Sequence, residues 1–79
     1  MGHGTLVHQA RVQVDGDSYH VQVYCRDDGR HFAKTYLGGD DIIINDGMSL
    51  EDVLTKHTEL LPLAVSTRRV RQQIRGEDA

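Results

Sequence analysis

The sequence predicts an α+β domain: an antiparallel meander of three to four strands, followed by one or two C-terminal helices packed on one face. Three observations carry this. An Asp-Gly pair separates two period-two segments whose apolar sides coincide, further glycine-bearing turns follow at 27–29 and 38–41, and helical periodicity begins only at Ser49. Strands grouped before helices argue for a sheet with helix on one side rather than a parallel βαβ arrangement.

The first strand pair is the best determined. Leu6, Ala10, Val12 and Val14 share one face at period two, interrupted by His8, and Tyr19, Val21, Val23 and Cys25 alternate likewise. Asp15-Gly16 between them suits a two-residue type I′ turn, in which both central residues need positive φ. Pairing Val14 with Asp17 places Val12 opposite Tyr19, Ala10 opposite Val21 and Leu6 opposite Cys25. A slip of one residue would put each apolar set on the wrong side.

Asp27-Asp28-Gly29 marks the second reversal. A three-residue loop with a bulge would pair Val23 with Ala33 and leave Phe32 beside Tyr24 and Val7 on the opposite face. A two-residue turn would instead bring Phe32 and Tyr36 inward, with Lys34 between them. Both registers make residues 30–37 a third strand. Gly38-Gly39-Asp40-Asp41 signals another turn. Ile42-Ile43-Ile44 then reads as a fourth strand or as an extended segment beneath a helix.

Ser49 with Asp52 is a variant capping box. Leu50, Val53, Leu54, His57 and Leu61 follow on one helical face. Pro62 lacks an N–H and clashes with the preceding turn, so a kink or break is expected there. Ser66 could cap a second, basic helix over residues 66–75, with Val65 and Val70 as its staple and Gly76 as its stop. The domain is then a single unit over residues 1–79, with a core over about 5–65 and a tail at 76–79.

A chain of 79 residues buries about 60–65% of the surface it exposes when unfolded, which leaves a thin stability margin. Its one cysteine, Cys25, excludes an intramolecular disulfide and suggests a reducing compartment. The N-terminus has neither the basic start nor the apolar stretch of a signal peptide, and no segment approaches the length of a membrane span. The expectation is a cytoplasmic protein without membrane contact.

Net charge is −3, but it is unevenly spread: residues 1–65 carry five basic and ten acidic side chains, and residues 66–75 carry four arginines and no acid. Arg68, Arg69, Arg71 and Arg75 are therefore the candidate contacts for an acidic protein, for a second copy or for nucleic acid. His8, Cys25 and His31 form the other constellation. In the bulged register His31 faces Cys25 and His8 lies diagonal to it, which could make a metal or thiol site centred on Cys25, although no Cys-x-x-Cys or His-x-x-x-His spacing accompanies it. A buried small thiol with half-exposed histidines is the plainer account. No cofactor motif is present. The acidic pairs lie next to glycines, where turn chemistry explains them.

The stretch from Tyr19 to Leu54 resembles HicB-like antitoxins in its order of elements: strand, Asp28-Gly29 turn, the strand of His31-Phe32-Ala33, and a capped acidic helix start at Asp46-Gly47-Met48-Ser49-Leu50-Glu51-Asp52. It departs from them in lacking a proline-bearing segment after the second strand, in its additional N-terminal strand and in Gly38-Gly39-Asp40-Asp41. The resemblance implies an antitoxin-like regulatory protein that contacts nucleic acid. The residues themselves favour a self-associating protein-interaction module, a homodimer without catalytic function.

Overall fold

The computed structural model describes residues 4–78, with side chains in the last helix described as far as Ile74. Four antiparallel strands, β1 (Thr5–Val14), β2 (Asp17–Cys25), β3 (His31–Gly38) and β4 (Asp41–Gly47), form one sheet in chain order. One helix, α1 (Leu50–Asp78), lies across one face. The chain is an α+β meander of the kind its turn spacing predicts.

The first turn follows the Asp-Gly pair. Asp15 and Gly16 have φ of 52° and 86°, and Val14 pairs with Asp17, Val12 with Tyr19 and Ala10 with Val21. A bulge between Leu6 and His8 ends the agreement. The extra residue, Val7, turns everything upstream to the other side, so Thr5 rather than Leu6 stands opposite Cys25. Leu6 pairs with Tyr24 and takes the place expected for Val7 beside the aromatic pair.

The second turn adopts the three-residue form. The Arg26 amide donates to the Arg30 carbonyl at 2.7 Å and the Gly29 amide to the Arg26 carbonyl at 2.9 Å. Val23 therefore meets Ala33, Tyr24 meets Phe32 and Cys25 meets His31. This register places Val21, Val23, Ala33 and Thr35 on one buried face.

The isoleucine run is β4, paired along its length with β3. It carries Ile43 inward and Ile42 and Ile44 outward, because alternate residues of a strand face opposite sides.

Ser49 caps α1 as its spacing suggests: its hydroxyl accepts the Asp52 amide at 3.1 Å, and the Asp52 carboxylate accepts the Met48 amide at 3.3 Å. Val53, His57, Leu61 and Val65 are buried at every fourth position. They close over the sheet with Val14, Val21, Val23 and Ala33, and Val12, Tyr19, Leu37, Ile43, Leu50 and Leu54 complete the core at its margins.

Pro62 neither breaks nor ends the helix, and Ser66 starts no second one. Contacts on both sides of the proline hold α1 together: Leu61 and Val65 lie in the core, and arginines beyond them bind the turns. Pro62 itself is exposed, so its ring meets solvent rather than the sheet. Helices wrapped over a core are convex toward water, the side on which a proline is best tolerated. Val70 and Ile74 are also exposed, so the expected staple between Val65 and Val70 does not form. Gly76 lies within the helix rather than at its end.

The missing N–H at Pro62 should carry a measurable penalty. Pro62→Ala restores that donor at an exposed site. It is expected to raise the unfolding free energy in urea by about 1–2 kcal/mol, the helix gain less the loss of proline's restraint on the unfolded chain. An unchanged or lower midpoint would refute that penalty.

Candidate functional site

Beneath α1, three polar side chains form a chain through the core. His57 is 1% exposed and Thr35 is fully buried. Asn45 Nδ2 donates to the Val53 carbonyl at 3.2 Å, which leaves Asn45 Oδ1 as an acceptor. Oδ1 is bonded to His57 Nδ1, so that nitrogen carries the hydrogen. His57 Nε2 is then the acceptor for the Thr35 hydroxyl at 2.7 Å. All these groups are neutral and satisfied, as a buried polar network requires. The helix is thereby hydrogen-bonded to β3 through Thr35 and to β4 through Asn45. Sequence periodicity marked His57 as a core-facing position, but Thr35 and Asn45 carried no signal of their own.

Burial lowers the His57 pKa below its ordinary 6.5, because a charged imidazolium would lose its hydration there. The arrangement holds a tautomer in place.

The arginine segment lies at the far end of the helix, above the β1–β2 and β3–β4 turns. Arg68 Nε donates to Asp41 Oδ2 at 2.8 Å, and an Arg71 guanidinium nitrogen lies 3.6 Å from Asp41 Oδ1. Arg69 spans the other turn, with one nitrogen 3.0 Å from Asp15 and another 3.1 Å from Asp17. The Arg68 guanidinium rests on Gly38, where an added Cβ would stand 2.9 Å from a guanidinium nitrogen. Arg68 and Asp41 are the more shielded pair and the Arg69 contacts the more exposed, and partly exposed pairs of this kind contribute about 0–1 kcal/mol each. Arg68, Arg69 and Arg71 thus fasten α1 to acidic turns of its own chain. The side chain of Arg75 lies outside those described.

A cleft of about 260 Å³ lies between these arginines and the β3–β4 turn, lined by Gly38, Gly39, Asp40, Asp41, Arg68, Arg71 and Gln72. Its two cations already share one carboxylate.

The Cys25 corner has the expected backbone register, with His31 opposite Cys25 and His8 opposite Val23. Cys25 is a free thiol, and its Sγ donates to the Arg26 carbonyl at 3.5 Å. His31 Nδ1 is buried without a hydrogen-bond partner among the described residues. Among the described residues, no three His, Cys, Asp or Glu side chains converge as a metal site would need. His3 lies outside the described residues.

Among the described residues, the second face of the sheet carries no helix. Leu6, Tyr24, Phe32, Tyr36, Ile42 and Ile44 project there, and Tyr24 and Phe32 stack with centroids 5.1 Å apart. Two polar rows, from Gln9 to Lys34 and from Arg11 to His20, share that face.

Fold and site together define a two-layer α+β domain with a neutral histidine hub inside and one uncovered sheet face. No family model matches the chain, and neither the curated proteins nor the solved structures searched give a match. The resemblance to HicB-like antitoxins therefore rests on its local pattern of turn, strand and cap alone. No helix among the described residues is long and apolar enough to cross a membrane.

Two measurements test the hub. The folded pKa of His57 lies below that of the unfolded chain, so its contribution to stability is full above about pH 6.5 and is lost as pH falls toward the folded value. Urea titrations in steps below neutrality should show a loss of up to about 1.4 kcal/mol per pH unit from this one proton. An imidazole NMR titration giving His57 a midpoint at or above its ordinary value would refute this. Separately, Thr35→Val keeps the side-chain shape but strips Nε2 of its donor, and should cost about 1–3 kcal/mol in the same denaturation assay.

Proposed function

We propose that this chain is a small protein-interaction module that works by self-association, as a homodimer, rather than by catalysis. The observation that carries this reading is the edge strand β4. Its outward side chains Ile42 and Ile44 are 41% and 57% exposed beside an unpaired backbone edge. Uncharged residues occupy 42–45, with aspartates only at the strand's ends, so nothing in its middle discourages pairing with a second copy. The opposite edge, β1, is blunted: it carries Arg11 and the bulge at Val7. Pairing β4 with its mate would continue the sheet across the dimer and shield both isoleucines.

The free Cys25 supports a reducing compartment, and with it the cytoplasm. Contact with nucleic acid through the arginine segment has less support. Arg68, Arg69 and Arg71 hold aspartates of their own chain, and a phosphate would have to displace them.

Light scattering after size exclusion should report a dimer at tens of micromolar chain, and Ile44→Lys should return a monomer with an unchanged circular dichroism spectrum. A wild-type monomer at every concentration would end the proposal. A dimer untouched by Ile44→Lys would move the interface away from β4.

A further inference from the structure

The uncovered sheet face has a charge opposite to that of the chain. Strand alternation sends Arg11 and Lys34 to it, Arg26 and Arg30 join at the end near the β2–β3 turn, and Asp46 is the strand carboxylate among them. That surface is basic in a chain whose net charge is −3. Asp27 and Asp28 stand in the adjoining turn, where Asp28 accepts the Arg30 amide at 3.0 Å.

The cations are interleaved with rings. Arg26 lies 5.0 Å from the centroid of Phe32, Phe32 stacks on Tyr24, and Lys34 Nζ stands 5.0 Å from the Tyr24 centroid and 5.5 Å from that of Tyr36. This gives a row of Arg26, Phe32, Tyr24, Lys34 and Tyr36 across the sheet, and Tyr36 at its end is 62% exposed. Gln22 and the amide nitrogen of Gln9, whose Oε1 is held by His20 Nε2 at 2.8 Å, lie alongside.

We infer that this face binds single-stranded nucleic acid. Arg11, Lys34 and their neighbours neutralise phosphates, the open ring of Tyr36 stacks a base, and the glutamine amides meet base edges. Single strands are held in this way, by cations tracking the backbone and rings receiving bases. A duplex is a poorer ligand, because a flat sheet face presents no element that enters a groove and paired bases cannot reach the rings. An acidic peptide would satisfy the charges but would bring no base to stack on Tyr36. The inference does not rest on self-association: pairing through β4 leaves the part of the face over β1 to β3 open, so either reading can fail alone.

The test is fluorescence anisotropy of the full chain with labelled oligo-dT and oligo-U of about 20 nucleotides. Binding is expected in the micromolar range at about 50 mM salt, weakening at least about tenfold by about 300 mM as counterion release requires. Arg11→Glu and Lys34→Gln should each weaken binding several-fold, and Tyr36→Ala should weaken it without altering the salt slope. Lys56→Glu, on the helix side, should leave it within about twofold. No anisotropy change at low salt overturns the inference, as does an equal loss in Lys56→Glu. Duplex DNA or polyphosphate binding as tightly as the single strand, with Tyr36→Ala indifferent, would show a general polyanion patch and also overturn it. Tighter binding of polyglutamate would assign the face to an acidic protein instead.

Discussion

The seating of the helix on the sheet depends on a neutral imidazole bonded at both nitrogens. Apolar contact alone would let α1 slide or rotate over β3 and β4, because Val53, Leu61 and Val65 could find comparable partners one turn away. His57 removes that freedom: displaced by a turn, it would leave its own nitrogens, the Thr35 hydroxyl and the Asn45 amide without partners inside the core. Unmet buried polar groups are costly, so the network works mainly by making alternative packings worse.

The far end of the helix is fixed by different means. From Ser66 to Ile74 no residue of α1 is buried, and the link to the sheet passes to Arg68, Arg69 and Arg71 on the aspartates of two turns. Both turns lie at the same end of the meander, so adjacent arginines can reach left and right from one helical turn. These contacts are solvent-facing and weaken with salt, whereas His57 and Thr35 are buried. The two halves of one helix are therefore held by forces with different dependences on pH and ionic strength.

A single helix over four strands also decides which surfaces remain. It covers one face and leaves the other to its own side chains, and these shield the aromatic pair by placing the Arg26 guanidinium over Phe32 and the Lys34 ammonium over Tyr24. That cover is incomplete at Tyr36, Ile42 and Ile44, so on this face the outer part of β3 and the β4 edge keep apolar surface exposed, as do Leu63, Val70 and Ile74 on the helix.

Much of this architecture is written locally. Asp15-Gly16 dictates its own turn because few residues accept two successive positive φ values, Ser49 and Asp52 mark a helix start, and period-two and period-four patterns assign faces. Each of these depends on neighbours within a few residues. The register after Gly29 was open on sequence because both alternatives gave a plausible face; burial of Val23, Ala33 and Thr35 beneath the helix selected one. The bulge at Val7, the continuity of α1 through Pro62 and the destination of the arginines were hidden for the same reason. Each is settled by a partner far along the chain: Tyr24 for Leu6, the core and turns for the residues flanking Pro62, and Asp15, Asp17 and Asp41 for the guanidiniums. Local propensity is a matter of roughly 1 kcal/mol per residue and yields to long-range contacts of greater sum, so the chain alone determined its elements while the tertiary structure decided their joints and what its charges touch.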